Sequence, residues 1–182
     1  MDVPSKSELR SRQNAARRAR GDEAIARDRA AIRGAVLARC DRLRPSCVAA
    51  YVPLPTEPGS VELLAALTAL GIRVLVPVLL ANKDLDWTLW TADEADPENL
   101  GVDAIAQAQL VVVPALAVAQ DGTRLGRGGG SYDRALGRVG DESPVIALLF
   151  EDELVDALPR DSWDRPVRAV VLPGGWREVG DR

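Results

Sequence analysis

The chain contains no histidine. That absence removes Ser-His-Asp and Cys-His catalysis, and most zinc sites, in one step. Any chemistry must run on carboxylates, Lys/Arg, hydroxyls, backbone amides or a bound hard cation. Cysteine is scarce as well. Cys40 and Cys47 are the only two, far too few for a disulfide framework, and they read as half-buried thiols in a reducing cytoplasm. No run approaches the roughly 18 uncharged apolar residues of a membrane span. The basic, polar N-terminus has no apolar h-region, so no secretory signal is expected. The expectation is a cytoplasmic chain with no membrane partner.

What is present is ordinary in amount and uneven in place. The 182 residues fit one domain with a sizeable core, and 47% of them are apolar and 27% charged. Residues 1–44 carry twelve Lys/Arg and six Asp/Glu, a net +6, so the remainder stands at −10. Such asymmetry can signal nucleic-acid binding. Here the basic residues alternate with acids and have no aromatic partners on which bases could stack. A solvated helix face, with some arginines turned toward an anionic ligand, is the preferred reading, and no nucleic acid is expected.

The pattern of apolar residues predicts an α/β chain. Leu9, Ala15, Ala16 and Ala19 mark one helical stripe, and Ile25, Ile32, Val36, Leu37 and Leu43 a second, broken at Gly21-Asp22. After Pro45 short runs rich in Val, Leu and Ile follow: Cys47–Leu54, Ile72–Leu80, Leu110–Val113, Pro144–Phe150 and Arg168–Leu172. Helices are expected between them at Val61–Leu70 (led by Ser60, closed by Gly71), Tyr132–Val139 and Asp152–Leu158. Asp84–Thr91 fits an edge strand or hairpin arm. Strands apolar on both faces, alternating with helices, predict a Rossmann-like three-layer fold with a mainly parallel central sheet. The two N-terminal helices (1–44) would join the α/β body (45–182) in one domain.

The densest chemical signal is Arg124-Leu125-Gly126-Arg127-Gly128-Gly129-Gly130-Ser131-Tyr132-Asp133. Four glycines within five residues permit positive φ and leave backbone N–H groups uncovered, which suits an anion cradle. The loop runs into a helix start, and Arg124 and Arg127 supply charge-assisted donors to phosphate oxygens. Asp133, in the first helical turn, could hold Mg²⁺ against those phosphates. No Lys-Ser/Thr follows the glycines, so the loop is no Walker A motif. The spacing also fails G-x-G-x-x-G.

This block, with Val113 through Val118 and Asp121-Gly122 before it, resembles the signature of the 5-formyltetrahydrofolate cyclo-ligase (5,10-methenyltetrahydrofolate synthetase) family. Lys6-Ser7-Glu8-Leu9-Arg10 resembles the family's N-terminal Lys-x-x-Leu-Arg element. Tyr51 through Glu57 resembles the stretch ending in the glutamate used for the folate, and Trp163-Asp164-Arg165-Pro166 its His-Asp-x-Pro segment. The resemblance covers nearly the whole chain. It implies an ATP site of Lys6, Ser7, Glu8, Leu9, Arg10, Arg124, Leu125, Gly126, Arg127, Gly128, Gly129, Gly130, Ser131 and Tyr132. It implies a folate site of Arg10, Val52, Glu57, Arg127 and Ser131, catalytic roles for Arg127 and Lys6, and magnesium at Asp133 and Asp164. By spacing alone, Lys6 and Arg10 are four apart and share a helix face; for the folate that the resemblance implies, a carboxylate at Glu57 could accept paired hydrogen bonds from the pterin.

The chain departs from the family pattern at Trp163 (usually His), Ser131 (often Tyr), Val118 (Phe), Arg168 (Asp) and Glu153 (Gln). The implied reaction is Mg-ATP-dependent closure of 5-formyltetrahydrofolate to the methenyl form, through a phosphorylated formyl intermediate, with a small-molecule substrate and a monomeric enzyme. Three rival readings stand beside it: a related ATP-dependent kinase or ligase, a nucleotide- or folate-binding regulator without turnover, and a nucleic-acid-binding protein.

Overall fold

The computed structural model describes residues 4–92 and 98–180. The chain opens with α1 (Lys6–Arg18) and α2 (Asp22–Leu43), followed by β1 (Cys47–Ala49), α3 (Val61–Ala69), β2 (Arg73–Leu79) and β3 (Leu85–Leu89). A 3₁₀ turn (Val102–Gln107) leads to β4 (Leu110–Val113), β5 (Ala117–Ala119), β6 (Arg124–Leu125) and α4 (Ser131–Leu136). Then come β7 (Val145–Leu148), a second 3₁₀ turn (Glu151–Glu153), β8 (Leu154–Val155), β9 (Ala169–Leu172) and β10 (Gly175–Glu178).

Seven strands form one sheet in the order β10-β9-β7-β4-β1-β2-β3. The five inner strands run parallel, and antiparallel β10 and β3 close the two edges. Alternate residues of the inner strands serve opposite faces. Val48, Val74, Leu110, Val112, Ile146 and Val171 pack with Ile32, Val36 and Cys40 of α2 and Leu63, Leu64 and Leu67 of α3. Ala49, Leu75, Val111, Val113, Ala147 and Val170 pack with Ile105 of the first 3₁₀ turn and with Ala135 and Leu136 of α4. Both faces are therefore covered, which is why these strands read as unbroken apolar runs. Both cysteines are free and fully buried in these layers, deeper than the half-burial expected of them.

Three local expectations need correction. The stripe Leu9, Ala15, Ala16, Ala19 docks α1 only in part: Leu9 packs against the body, whereas Ala15 and Ala19 are exposed. The buried residue of α1 is Arg17. Regular strand β1 ends at Ala49, and Tyr51–Leu54 continues as a loop. Asp152–Leu158 is not a helix but a 3₁₀ turn followed by β8, paired parallel to β5. The cause is Glu153, which is drawn inward to meet Arg17 with both carboxylate oxygens, at 2.7 and 2.8 Å. One of these oxygens also accepts from the Phe150 N–H at 3.0 Å. That tertiary pull overrides a modest local helical pattern.

The order of strand addition reverses between the parallel neighbours β1 and β4. From β1 the chain proceeds to β2 on one side, and from β4 to β7 on the other. Such a switch point opens a crevice at the strands' carboxyl ends.

Candidate active site

The crevice is occupied by a cleft of about 540 Å³. Pro114 and Ala115 enter it directly from the end of β4, and Glu57 from the loop beyond β1. The remaining walls are the Gly126–Gly130 loop, the start of α4, the cationic face of α1 and a turn at Asp161–Asp164. Residues from the first and last parts of the chain thus meet at one point.

The capped start of α1 sets the position of its cations. Ser5 Oγ accepts from the Glu8 N–H, and Glu8 in return accepts from the Ser5 N–H at 2.8 Å, a reciprocal capping box. The helix so anchored presents Lys6, Arg10 and Arg17 along one side of the cleft. Lys6 Nζ donates to Asp161 at 2.7 Å and to Asp164 at 2.6 Å. Partial burial works to lower the Lys6 pKa, but the two aspartates outweigh it and hold the ammonium above its ordinary value. Burial pushes Asp164 the other way, and is overcome by the Asp161 N–H and by Lys6, which keep its carboxyl below the usual range. Arg10 Nε donates to the Gly126 carbonyl at 2.9 Å, tying α1 to the glycine loop.

The loop needs its glycines at two places in particular. A Cβ on Gly126 would lie 2.8 Å from Arg124 Nη1. Gly128 has φ +102°, and a Cβ there would lie 3.1 Å from the Arg10 guanidinium carbon. Side chains at either position would drive the arginines out of place.

Arg124 is buried. It donates to Asp133 at 3.0 Å and to the Pro114 carbonyl at 3.2 Å, while its Nε has no partner among the described residues. The Tyr132 hydroxyl is also buried and has no partner among the described residues. Burial raises that phenol's pKa well above the ordinary value, against the pull of Arg124, so it remains a neutral O–H. Glu57, 4% exposed, is no solvent-facing loop carboxylate. One oxygen accepts from the Leu54 N–H at 2.9 Å, and the other lies 3.3 Å from Nε and Nη2 of Arg127.

Most of the residues expected at a site converge here: Lys6, Arg10, Glu57, Arg124 through Asp133, and Asp164. Four do not line the cleft. Ser7 and Glu8 are exposed, with Glu8 spent on the helix cap. Leu9 packs against Leu116, Ala117 and Leu125 behind the wall, and Val52 is 54% exposed. Sequence reasoning missed Arg17, Asp161 and the lining role of Trp163. Arg17 was discoverable, since it lies seven residues beyond Arg10 on the face that Lys6 and Arg10 share.

An anionic ligand fits this chemistry. A glycine-lined loop and five cations, Lys6, Arg10, Arg17, Arg124 and Arg127, offer charge-assisted donors of the kind phosphate oxygens accept from. For a cation the fit is of another kind. Among the described residues no three Asp, Glu, Cys or His side chains gather to hold a metal alone. Asp133 and Asp164 could each lend one carboxylate to Mg²⁺ whose other ligands are phosphates and water, its usual manner of binding.

The fold and cleft define a doubly wound α/β protein whose switch-point crevice is lined by a glycine loop and by cations. Comparison with known proteins narrows that class. The model of the 5-formyltetrahydrofolate cyclo-ligase family matches residues 2–173. A 5-formyltetrahydrofolate cyclo-ligase of Mycolicibacterium smegmatis is 41% identical over 143 residues, 69% of this chain and 73% of its own. One from Escherichia coli K12 is 34% identical over 140 residues, 69% of this chain and 77% of its own. The NMR structure of a 5,10-methenyltetrahydrofolate synthetase from Aquifex aeolicus has a TM-score of 0.80 at 23% identity, covering 97% of this chain and 94% of that one. At that identity the likeness speaks for the fold. The chain belongs to the 5-formyltetrahydrofolate cyclo-ligase family, whose members are enzymes.

The basic N-terminal helices fit this assignment. Lys6, Arg10, Arg17, Arg20 and Arg29 all turn inward to carboxylates or carbonyls of the body. Among the described residues no helix is long and apolar enough to cross a membrane.

Proposed function

We propose that this chain closes 5-formyltetrahydrofolate to 5,10-methenyltetrahydrofolate, converting Mg-ATP to ADP and phosphate. The observation that carries the reading is the convergence of a glycine-lined cationic loop and a buried carboxylate, Glu57, on one cleft of a cyclo-ligase-family fold. The chemistry ATP supplies is phosphorylation of the formyl oxygen, which gives a phosphorylated imidate and a leaving group for ring closure by N10.

The rest falls to the chain itself. Lys6, Arg10 and Arg127 flank the loop and bind the phosphates, placing positive charge where negative charge accumulates during transfer. Arg124 adds its charge from the cleft wall, and Asp133 and Asp164 would share the Mg²⁺ with the phosphates. Glu57 orients the pterin by accepting from its exocyclic amine and ring N–H. Arg127, 51% exposed and paired with Glu57, can exchange that partner for a phosphate when both substrates are present. No side chain is needed as an obligatory general base, so a histidine-free site suffices.

The test is direct. Purified protein, 5-formyltetrahydrofolate and Mg-ATP should yield the methenyl product, read by its near-ultraviolet absorbance, with ADP and phosphate in equal amounts. Product without ATP, or ATP and folate binding without product, would refute the reading.

A further inference from the structure

Trp163 is 68% exposed, yet it stands in the cleft wall beside Asp161 and Asp164. The other three tryptophans are buried or half-buried. A lone exposed aromatic is unremarkable, but this one sits on a firmly held support. The Asp161 N–H donates to Asp164 Oδ2 at 2.9 Å, and the Asp164 N–H to the Asp161 carbonyl at 3.1 Å, closing a tight turn around Ser162 and Trp163. Both aspartates grip Lys6 of α1, and the adjacent Arg165 N–H donates to Asp133 of α4 at 3.3 Å. The backbone is pinned from two sides while the indole is left open. A rigid support with a bare ring is what stacking requires, because little conformational freedom remains to be lost on binding.

The surroundings select the ligand. Trp163 adjoins the Lys6 end of the cleft, where the proposed function places phosphates. Glu57, the proposed pterin anchor in the same cleft, is held by Leu54 and Arg127 and has no hydrogen bond to the Asp161–Asp164 turn. A neutral planar ring suits an indole flanked by two aspartates that are already paired with Lys6. We propose that Trp163 is a stacking platform for the adenine of bound ATP. This inference rests on the ATP reading above and adds to it the residue that reads the base.

Isothermal titration of wild type, Trp163→Ala and Trp163→Phe tests it, with Mg-ATP, Mg-tripolyphosphate and 5-formyltetrahydrofolate as separate probes. Trp163→Ala should weaken ATP binding about tenfold, the usual effect of removing a base-stacking side chain. It should leave tripolyphosphate and folate unchanged, and Trp163→Phe should keep most of the ATP affinity. Unchanged ATP affinity in Trp163→Ala, a matching loss for tripolyphosphate, or a loss for folate instead would each overturn the stacking role while leaving ATP use intact. Absence of ATP binding by the wild type would overturn the ATP reading itself, and this inference with it.

Discussion

Glu57→Gln is the most informative single substitution, because the structure fixes what the new amide would do. Leu54 N–H lies 2.9 Å from one Glu57 oxygen and takes whichever acceptor stands there. Gln has one acceptor oxygen, so that oxygen goes to Leu54. Its NH₂ then occupies the place of the second carboxylate oxygen, 3.3 Å from the Arg127 guanidinium. A donor would face Arg127 in the free enzyme and face the pterin's donors in the complex. Leaving such buried donors unpaired costs about 1–3 kcal/mol, more when a charged acceptor is lost. A tenfold change corresponds to about 1.4 kcal/mol, so folate affinity should fall by roughly tenfold or more.

The same substitution should spare the rest of the molecule. Arg127 is half exposed, so loss of its ion pair with Glu57 should cost about 1 kcal/mol or less in stability. ATP affinity should change by less than about twofold, since the phosphates are assigned to the loop and to α1. The assay is paired titration of Glu57→Gln with 5-formyltetrahydrofolate and with Mg-ATP, alongside a denaturant melt. A loss confined to folate is expected. Equal losses for both ligands would refute the reasoning in favour of a structural role, and no loss would remove Glu57 from the site.

Asp133→Asn should raise the Mg²⁺ concentration needed for half-maximal rate, and an unchanged requirement would leave the cation to phosphates and water. Arg17→Met should destabilise the fold by about 3–5 kcal/mol, because it strands Glu153 as a buried carboxylate. The double variant Arg17→Met/Glu153→Leu should recover most of that loss in denaturant melts, and failure to recover would mean that the packing of Arg17 and not the ion pair is what matters. Acid should destabilise the protein in a defined window. Arg138 beside Asp84 holds that carboxyl below its ordinary 3.8, and Asp164 is lowered as well. A depressed carboxylate contributes stability above its unfolded value and loses it as pH falls through the folded one. The denaturant midpoint should therefore fall below about pH 4, and fall less in Asp84→Asn.

How much of this was legible in sequence depends on which force decided each element. Leu110–Val113 and Ile72–Leu80 were readable because a strand buried on both faces leaves an apolar run with no helical period. The glycine loop stood out because Arg124, Arg127 and Asp133 lie within the same ten residues as its four glycines. Asp152–Leu158 misled because its fate was settled by Arg17, 136 residues away from Glu153 in the chain. The same blindness applied to the site. Lys6, Arg10, Arg124 and Arg127 could be picked out as cations, but their partners could not. Lys6 is held by aspartates 155 and 158 residues distant, and Arg127 by a glutamate 70 residues before it. Arg10 rests on the Gly126 carbonyl, and Arg124 on Asp133 and the Pro114 carbonyl. Each cation therefore waits in a fixed position, its charge partly neutralised by a protein oxygen. A phosphate bound as proposed above would meet donors that are already oriented, and the contact of Arg127 with Glu57, 3.3 Å long and half exposed on the arginine side, is the one most readily exchanged. The counterions absent from any local motif are thus what keep the cleft's positive charge in place before a ligand enters.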